Sequence, residues 1–97
     1  MRKVHKADTV RLFRAILSLK NAKEANAFFK DLLTENEIEE LARRWKVACM
    51  LETKTPYTKI IEATGLSSRT IARAAHWMKK GTGGFHMIMR RKGTFLR

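Results

Sequence analysis

"YTKIIEATGLSSRTIARAAHWMKK", residues 57–80, decides how the rest of the chain is read. Ile60 and Leu66 are apolar where a first helix and a turn must pack inward, and Gly65 stands where the turn needs a positive φ, which glycine alone reaches freely. Ser67 is a good helix cap, and Ile71, Ala74, Ala75 and Met78 recur behind it as an inner face. The tract predicts a short helix from Tyr57 to Ala63, a glycine turn and a second helix to Lys80, which together make a helix-turn-helix. Ser67, Ser68, Arg69, Thr70, Ala72, Arg73 and His76 are left pointing outward. One departure is Ile61, where many such motifs carry an alanine at the tight helix crossing.

A recognition helix is read from its N-terminal half. Arginine reaches guanine edges in bidentate fashion, serine and threonine reach bases or phosphates, and the N–H groups of the helix start hold a phosphate. The competing reading is that the strip merely solvates the outer face of a core helix, and charge decides between them. The 97 residues carry 21 Lys and Arg against 9 Asp and Glu, a formal net charge of +12. Residues 1–31 contribute +5, residues 32–52 contribute −2, and residues 53–97, with ten basic groups and one acidic, contribute +9. A surplus concentrated around the outward strip points to a polyanionic partner. No long amphipathic helix with an aromatic or leucine face lies among the basic residues, so the partner is expected to be nucleic acid and not a membrane surface.

Upstream, "LLTENEIEELARRWKVACMLE" is the best-signposted helix. Thr34 is a cap, Glu37 three residues on completes a capping box, and Glu35, Glu37, Glu39 and Glu40 crowd the positive end of the helix dipole. Pairs Glu39–Arg43 and Glu40–Arg44 are expected along it, and it should run to about Glu52 before Pro56 interrupts. Val10, Phe13 and Leu17, widened by Leu12, Ile16 and Leu19, predict a first helix over roughly residues 8–20. After a break at Asn21, Ala22, Ala25, Phe28, Phe29, Leu32 and Leu33 predict a second, ending near Leu33. Downstream, "GTGGFHMIMRRKGTFLR" suggests a short helix from about Gly84 to Arg91 and a basic tail. The fold class expected is all-α, in a single domain over residues 1–97.

These residues resemble the Trp repressor-like proteins, and especially their YerC/YecD-type branch. The likeness runs from about Leu12 to Arg91 and is carried by "LFRAILSLKNAKEANAFFKDLLTENEIEELARRWKVACML" and "YTKIIEATGLSSRTIARAAHWMKKGTGGF". It implies a Trp repressor-like helical bundle, assembled as an intertwined homodimer whose N-terminal helices (8–53) interlock. Two helix-turn-helix heads (57–80) then enter successive major grooves, followed by a basic C-terminal segment (81–97). The amount of aromatic surface on Phe13, Phe28, Phe29 and Trp45 also speaks for a dimer. In family terms the DNA-contacting residues fall on Tyr57, Thr58, Ser67, Ser68, Arg69, Thr70 and Arg73.

The family's co-repressor pocket uses a threonine, two arginines and small residues that make room for an indole. Thr34, Arg44 and Arg73 match the first three, but Ala74 and Trp77 stand where the glycine and serine belong. The pocket (Thr34, Arg44, Arg73, Trp77) is therefore expected to be vestigial, and neither tryptophan nor another small-molecule co-repressor is expected. The function implied is a sequence-specific DNA-binding transcriptional regulator, a repressor by analogy. The alternative is a non-specific architectural DNA-binding or RNA-associated protein.

Other chemistries find little support. His5, His76, His86 and Cys49 are never three or four residues apart, so neither a metal nor another cofactor is expected. "GTGG" lacks the strand and the Lys-Ser/Thr of a phosphate loop and reads as a helix terminator. Cys49 has no histidine placed by sequence to activate it, and no enzyme is expected. One cysteine, a charged N-terminus and no transmembrane-length stretch suggest a cytoplasmic protein.

Overall fold

The computed structural model describes residues 5–91, and among these every regular element is helical. The order is α1 (Lys6–Leu17), α2 (Ala22–Leu32), α3 (Glu35–Glu52), α4 (Tyr57–Thr64), α5 (Ser68–Lys80) and α6 (Gly84–Arg91). The short helix expected from Gly84 to Arg91 is α6. The chain divides into two compact units, one ending at Ile38 and the other beginning at Glu39.

In the first unit, helix α1 stops three residues earlier than its periodicity predicts. The Ser18 hydroxyl donates to the Ala15 carbonyl at 2.7 Å, the kind of local bond that competes with helix propagation. Asn21 then caps α2, its side chain accepting the Glu24 N–H at 2.9 Å, while the Glu24 carboxylate accepts the Lys20 N–H at 2.9 Å. The capping box at the next junction is reciprocal: Thr34 Oγ1 accepts the Glu37 N–H at 3.1 Å and the Glu37 carboxylate accepts the Thr34 N–H at 2.8 Å. Leu12, Ile16 and Leu19 are half-buried, but Val10, Phe13 and Leu17, the stripe that reveals the helix, are exposed. Neither α1 nor α2 contains a fully buried residue.

The second unit holds all the buried side chains among the described residues. Val47 of α3, Ile60 of α4 and Ile71 of α5 form one cluster, closed by Met50, Leu51, Leu66 and Ala74. Ala48 and Cys49 meet Met89 of α6 in a second, flanked by Trp45 and Met78. Consecutive α3 residues thus serve two clusters, because a 100° step turns Val47 toward the helix-turn-helix and Ala48 toward α6. Trp45 also stacks obliquely on Phe85, ring centroids 5.7 Å apart, and His86 Nδ1 lies 3.2 Å from the Glu52 carboxylate.

The end of α3 is built by more than Pro56. Lys54 takes a left-handed φ of 63°, its N–H reaches the Leu51 carbonyl at 3.1 Å, and the Thr55 N–H reaches Met50 at 2.9 Å. Those two bonds make a Schellman motif with lysine in the place usually given to glycine. Of the two expected ion pairs along α3, Glu40–Arg44 is present at 4.0 Å and Glu39–Arg43 does not form.

Candidate nucleic-acid interface

The turn between α4 and α5 is assembled from backbone and hydroxyl bonds. Gly65 adopts φ 73° and its N–H reaches the Ile61 carbonyl at 2.8 Å, closing α4. Nothing lies within 4 Å of a Cβ built on Gly65, so the demand for glycine there is purely conformational. Thr64 supplies a bridge that the sequence pattern did not announce. Its hydroxyl donates to the Ile60 carbonyl at 2.7 Å and accepts the Leu66 N–H at 3.2 Å. Ser67 caps α5 through the Thr70 N–H at 3.2 Å, and the Ser67 and Thr70 hydroxyls stand 3.1 Å apart.

Packing beneath this turn fixes how α5 is presented. Ile60 and Ile71 are both 0% exposed, so α4 and α5 are each pinned on one face. Ile61 is left at the surface, which explains how the motif tolerates a bulky side chain in place of the usual alanine. The Lys46 ammonium of α3 donates to the Ala63 carbonyl at 3.3 Å, compensating the negative end of α4. At the far end, a Cβ on Gly81 would stand 2.5 Å from the Trp77 carbonyl that its N–H binds, so α5 can close there only on glycine.

Tyr57, Thr58, Ser67, Ser68, Arg69, Thr70 and Arg73 are all exposed, the first two at the start of α4 and the rest at the turn and along the first half of α5. Among the described residues no carboxylate pairs with Arg69 or Arg73. A helix start flanked by unneutralised guanidinium groups and hydroxyls suits phosphate oxygens and base edges.

Beside it a groove of about 540 Å³ is lined by Glu40, Arg43, Arg44, Leu66, Thr70, Arg73, Ala74, Trp77 and Phe85. Arg44, Arg73 and Trp77 are therefore brought together, while Thr34 belongs to the first unit, where it caps α3. Trp77 is 60% exposed and also borders a second, apolar groove with Trp45, Met78, Phe85 and Ile88. Phe85 was not singled out by the sequence reading, since a lone aromatic after a run of glycines has no periodic partner. Burial pushes the Cys49 thiol above its ordinary range, the reverse of what a nucleophile needs. Among the described residues no three His, Cys, Asp or Glu side chains gather into a metal site. No helix among them is long and apolar enough to cross a membrane.

A helix-turn-helix with an exposed, cationic reading edge, carried on an all-helical chain, defines a class of DNA-binding proteins. The family profile for "Trp repressor protein" matches residues 7–93, and the chain belongs to that family, whose members are helix-turn-helix regulators and not enzymes. It is 44% identical over 80 residues to YerC of Bacillus subtilis (strain 168), covering 82% of this chain and 77% of that one. Among solved structures, a TrpR-like protein from Eubacterium eligens ATCC 27750 matches with a TM-score of 0.87 at 41% identity, over 91% of each chain. A Trp repressor candidate from Staphylococcus aureus matches with a TM-score of 0.84 at 38% identity, over 90% of this chain and 87% of that one.

Proposed function

We propose that the chain is a sequence-specific transcriptional regulator of the repressor type that acts in the cytoplasm. It reads double-stranded DNA as a homodimer, residues 8–53 holding the dimer, 57–80 reading the DNA and 81–97 supplying a basic segment. The observation that carries this reading is the exposed, unpaired strip of Ser67, Ser68, Arg69, Thr70 and Arg73 on a helix start that Gly65 and Ser67 hold rigidly. Arg69 and Arg73 read bases, Ser67, Ser68 and Thr70 position the helix start on phosphate, and Tyr57 and Thr58 reach the flanking backbone. Two heads in a dimer read half-sites about one helical turn, roughly 34 Å, apart.

Tryptophan plays no part as co-repressor. The groove that holds Arg44 and Arg73 already has a protein indole, Trp77, on its wall, and Arg44 faces Glu40 at 4.0 Å. The protein then binds its operator without a small ligand.

The test is selection of purified protein against a random double-stranded DNA pool at about 150 mM salt, where exposed charges are substantially screened. Enrichment of a palindrome with half-sites one turn apart is the expected result. Salt-sensitive binding with no enriched motif overturns it in favour of the second reading, a non-specific architectural or RNA-associated protein, which the excess of basic groups in residues 53–97 favours.

A further inference from the structure

The outward face of α5 continues beyond the strip at its start. From Arg69, steps of four, three and four residues lead to Arg73, His76 and Lys80, and such steps return to the same side of a helix. All four side chains are exposed, so a single ridge of three cations and one imidazole runs nearly the whole length of the helix. The opposite face, with Ile71 buried and Ala74 and Met78 half-buried, is what pins the ridge outward.

His76 is the one imidazole on this ridge. Its ring meets Trp77 edge-on with centroids 5.8 Å apart, and among the described residues neither ring nitrogen holds a hydrogen bond or an ion pair. On its own helix, Arg73 and Lys80 lie one turn to either side, Arg69 two turns back and Lys79 alongside. Among the described residues no carboxylate or cation of α3, α4 or α6 bonds to it, whereas the other histidine of this unit, His86, is held by Glu52. A purely structural histidine would be expected to be buried or to hold a hydrogen bond; His76 is exposed, and among the described residues its ring contact with Trp77 is its one recorded interaction.

We propose that the DNA-contacting ridge of α5 extends to His76 and Lys80, and that His76 is a protonation-dependent contact to the phosphate backbone that tightens binding as pH falls. The inference rests on the DNA-binding reading above and adds a residue and a regulation to it. An imidazole titrates near about pH 6.5 in reference peptides, and a neighbouring phosphate favours its charged form. Linkage makes the effect reciprocal: if bound DNA holds the proton, the proton holds the DNA. The sign is therefore strong binding below neutrality and weaker binding above it.

The experiment measures the dissociation constant for one duplex at pH 6.0 and pH 8.0, at about 150 mM salt, for the wild type, His76→Gln, His76→Lys and His86→Gln. Wild type should bind about three- to tenfold more tightly at pH 6.0, the size of one charge-assisted phosphate contact, and its salt slope should be steeper there by about 0.9 per head. His76→Gln should show the same affinity at both pH values within about twofold, and His76→Lys should be equally flat but tighter than His76→Gln. His86→Gln, which removes the imidazole held by Glu52, should keep the response. A pH response that survives in His76→Gln, or wild-type DNA binding with no pH response, overturns this inference and leaves the DNA reading standing. Failure to bind any duplex at either pH overturns both.

Discussion

Helices α1 and α5 carry the same kind of signal, an apolar stripe recurring every three or four residues, yet the structure treats them oppositely. On α5 the stripe is covered: Ile71 is fully buried against Val47 and Ile60. On α1 it is open, with Phe13 56% and Leu17 83% exposed, and the two helices of the first unit contribute nothing to the buried core. Amphipathic periodicity says that a face wants cover without saying what supplies it. In the second unit α3, α4, α5 and α6 cover one another. In the first, the uncovered stripe is what the proposed homodimer would occupy.

The largest effect expected is on the covered side. Ile60→Ala should destabilise the protein by about 2–5 kcal/mol in urea unfolding, because a fully buried isoleucine leaves a cavity between α3, α4 and α5. Phe13→Ala is the corresponding cut on the open side. It should loosen self-association by about tenfold or more in sedimentation equilibrium, as loss of an aromatic anchor does. A Phe13→Ala protein that associates like the wild type would break the comparison, since the stripe would then be merely solvated.

Lys54 and Gly65, two of the left-handed residues of the second unit, should respond with opposite signs. Gly65→Ala should cost roughly 1–2 kcal/mol through backbone strain alone, and Lys54→Gly should stabilise by up to about 1 kcal/mol by relieving it. Smaller still, the caps should be indifferent to which unit they serve. Thr34→Ala and Ser67→Ala should each cost about 1 kcal/mol, since the bonds lost are local and of similar geometry. A much larger loss for Ser67→Ala would mean that the cap also holds the turn. The smallest change expected is for Arg44→Ala. Its 4.0 Å pair with Glu40 is well exposed, so melting should shift stability by less than about 0.5 kcal/mol.

Elements written in short-range chemistry were legible. The Thr34–Glu37 box, the Ser67 cap and the Gly65 turn follow from residues close in sequence, and each stands in the structure where the residue pattern put it. The overshoot of α1 has a similar lesson, since periodicity ran on through Leu19 while a serine hydroxyl turned the chain aside. Less legible were the features that depend on distant partners. Phe85 on Trp45, Lys46 on the end of α4 and His86 on Glu52 each join residues that no spacing rule connects. The lysine in the left-handed position after α3 was hidden for another reason: the strain it carries has no sequence signature unless glycine is there.

The amino-acid sequence by itself determined that this chain is all-helical, where its helices start, which family it resembles and which cations flank the reading helix. Those properties come from local hydrogen bonding, helical periodicity and net charge, all of which act over one turn or need no geometry. Only the tertiary structure decided which apolar stripes are covered, that Arg44, Arg73 and Trp77 share one groove, and that among the described residues no carboxylate pairs with the ridge through His76. Burial and pairing are relations between residues far apart in the chain, and they exist only once the helices have packed.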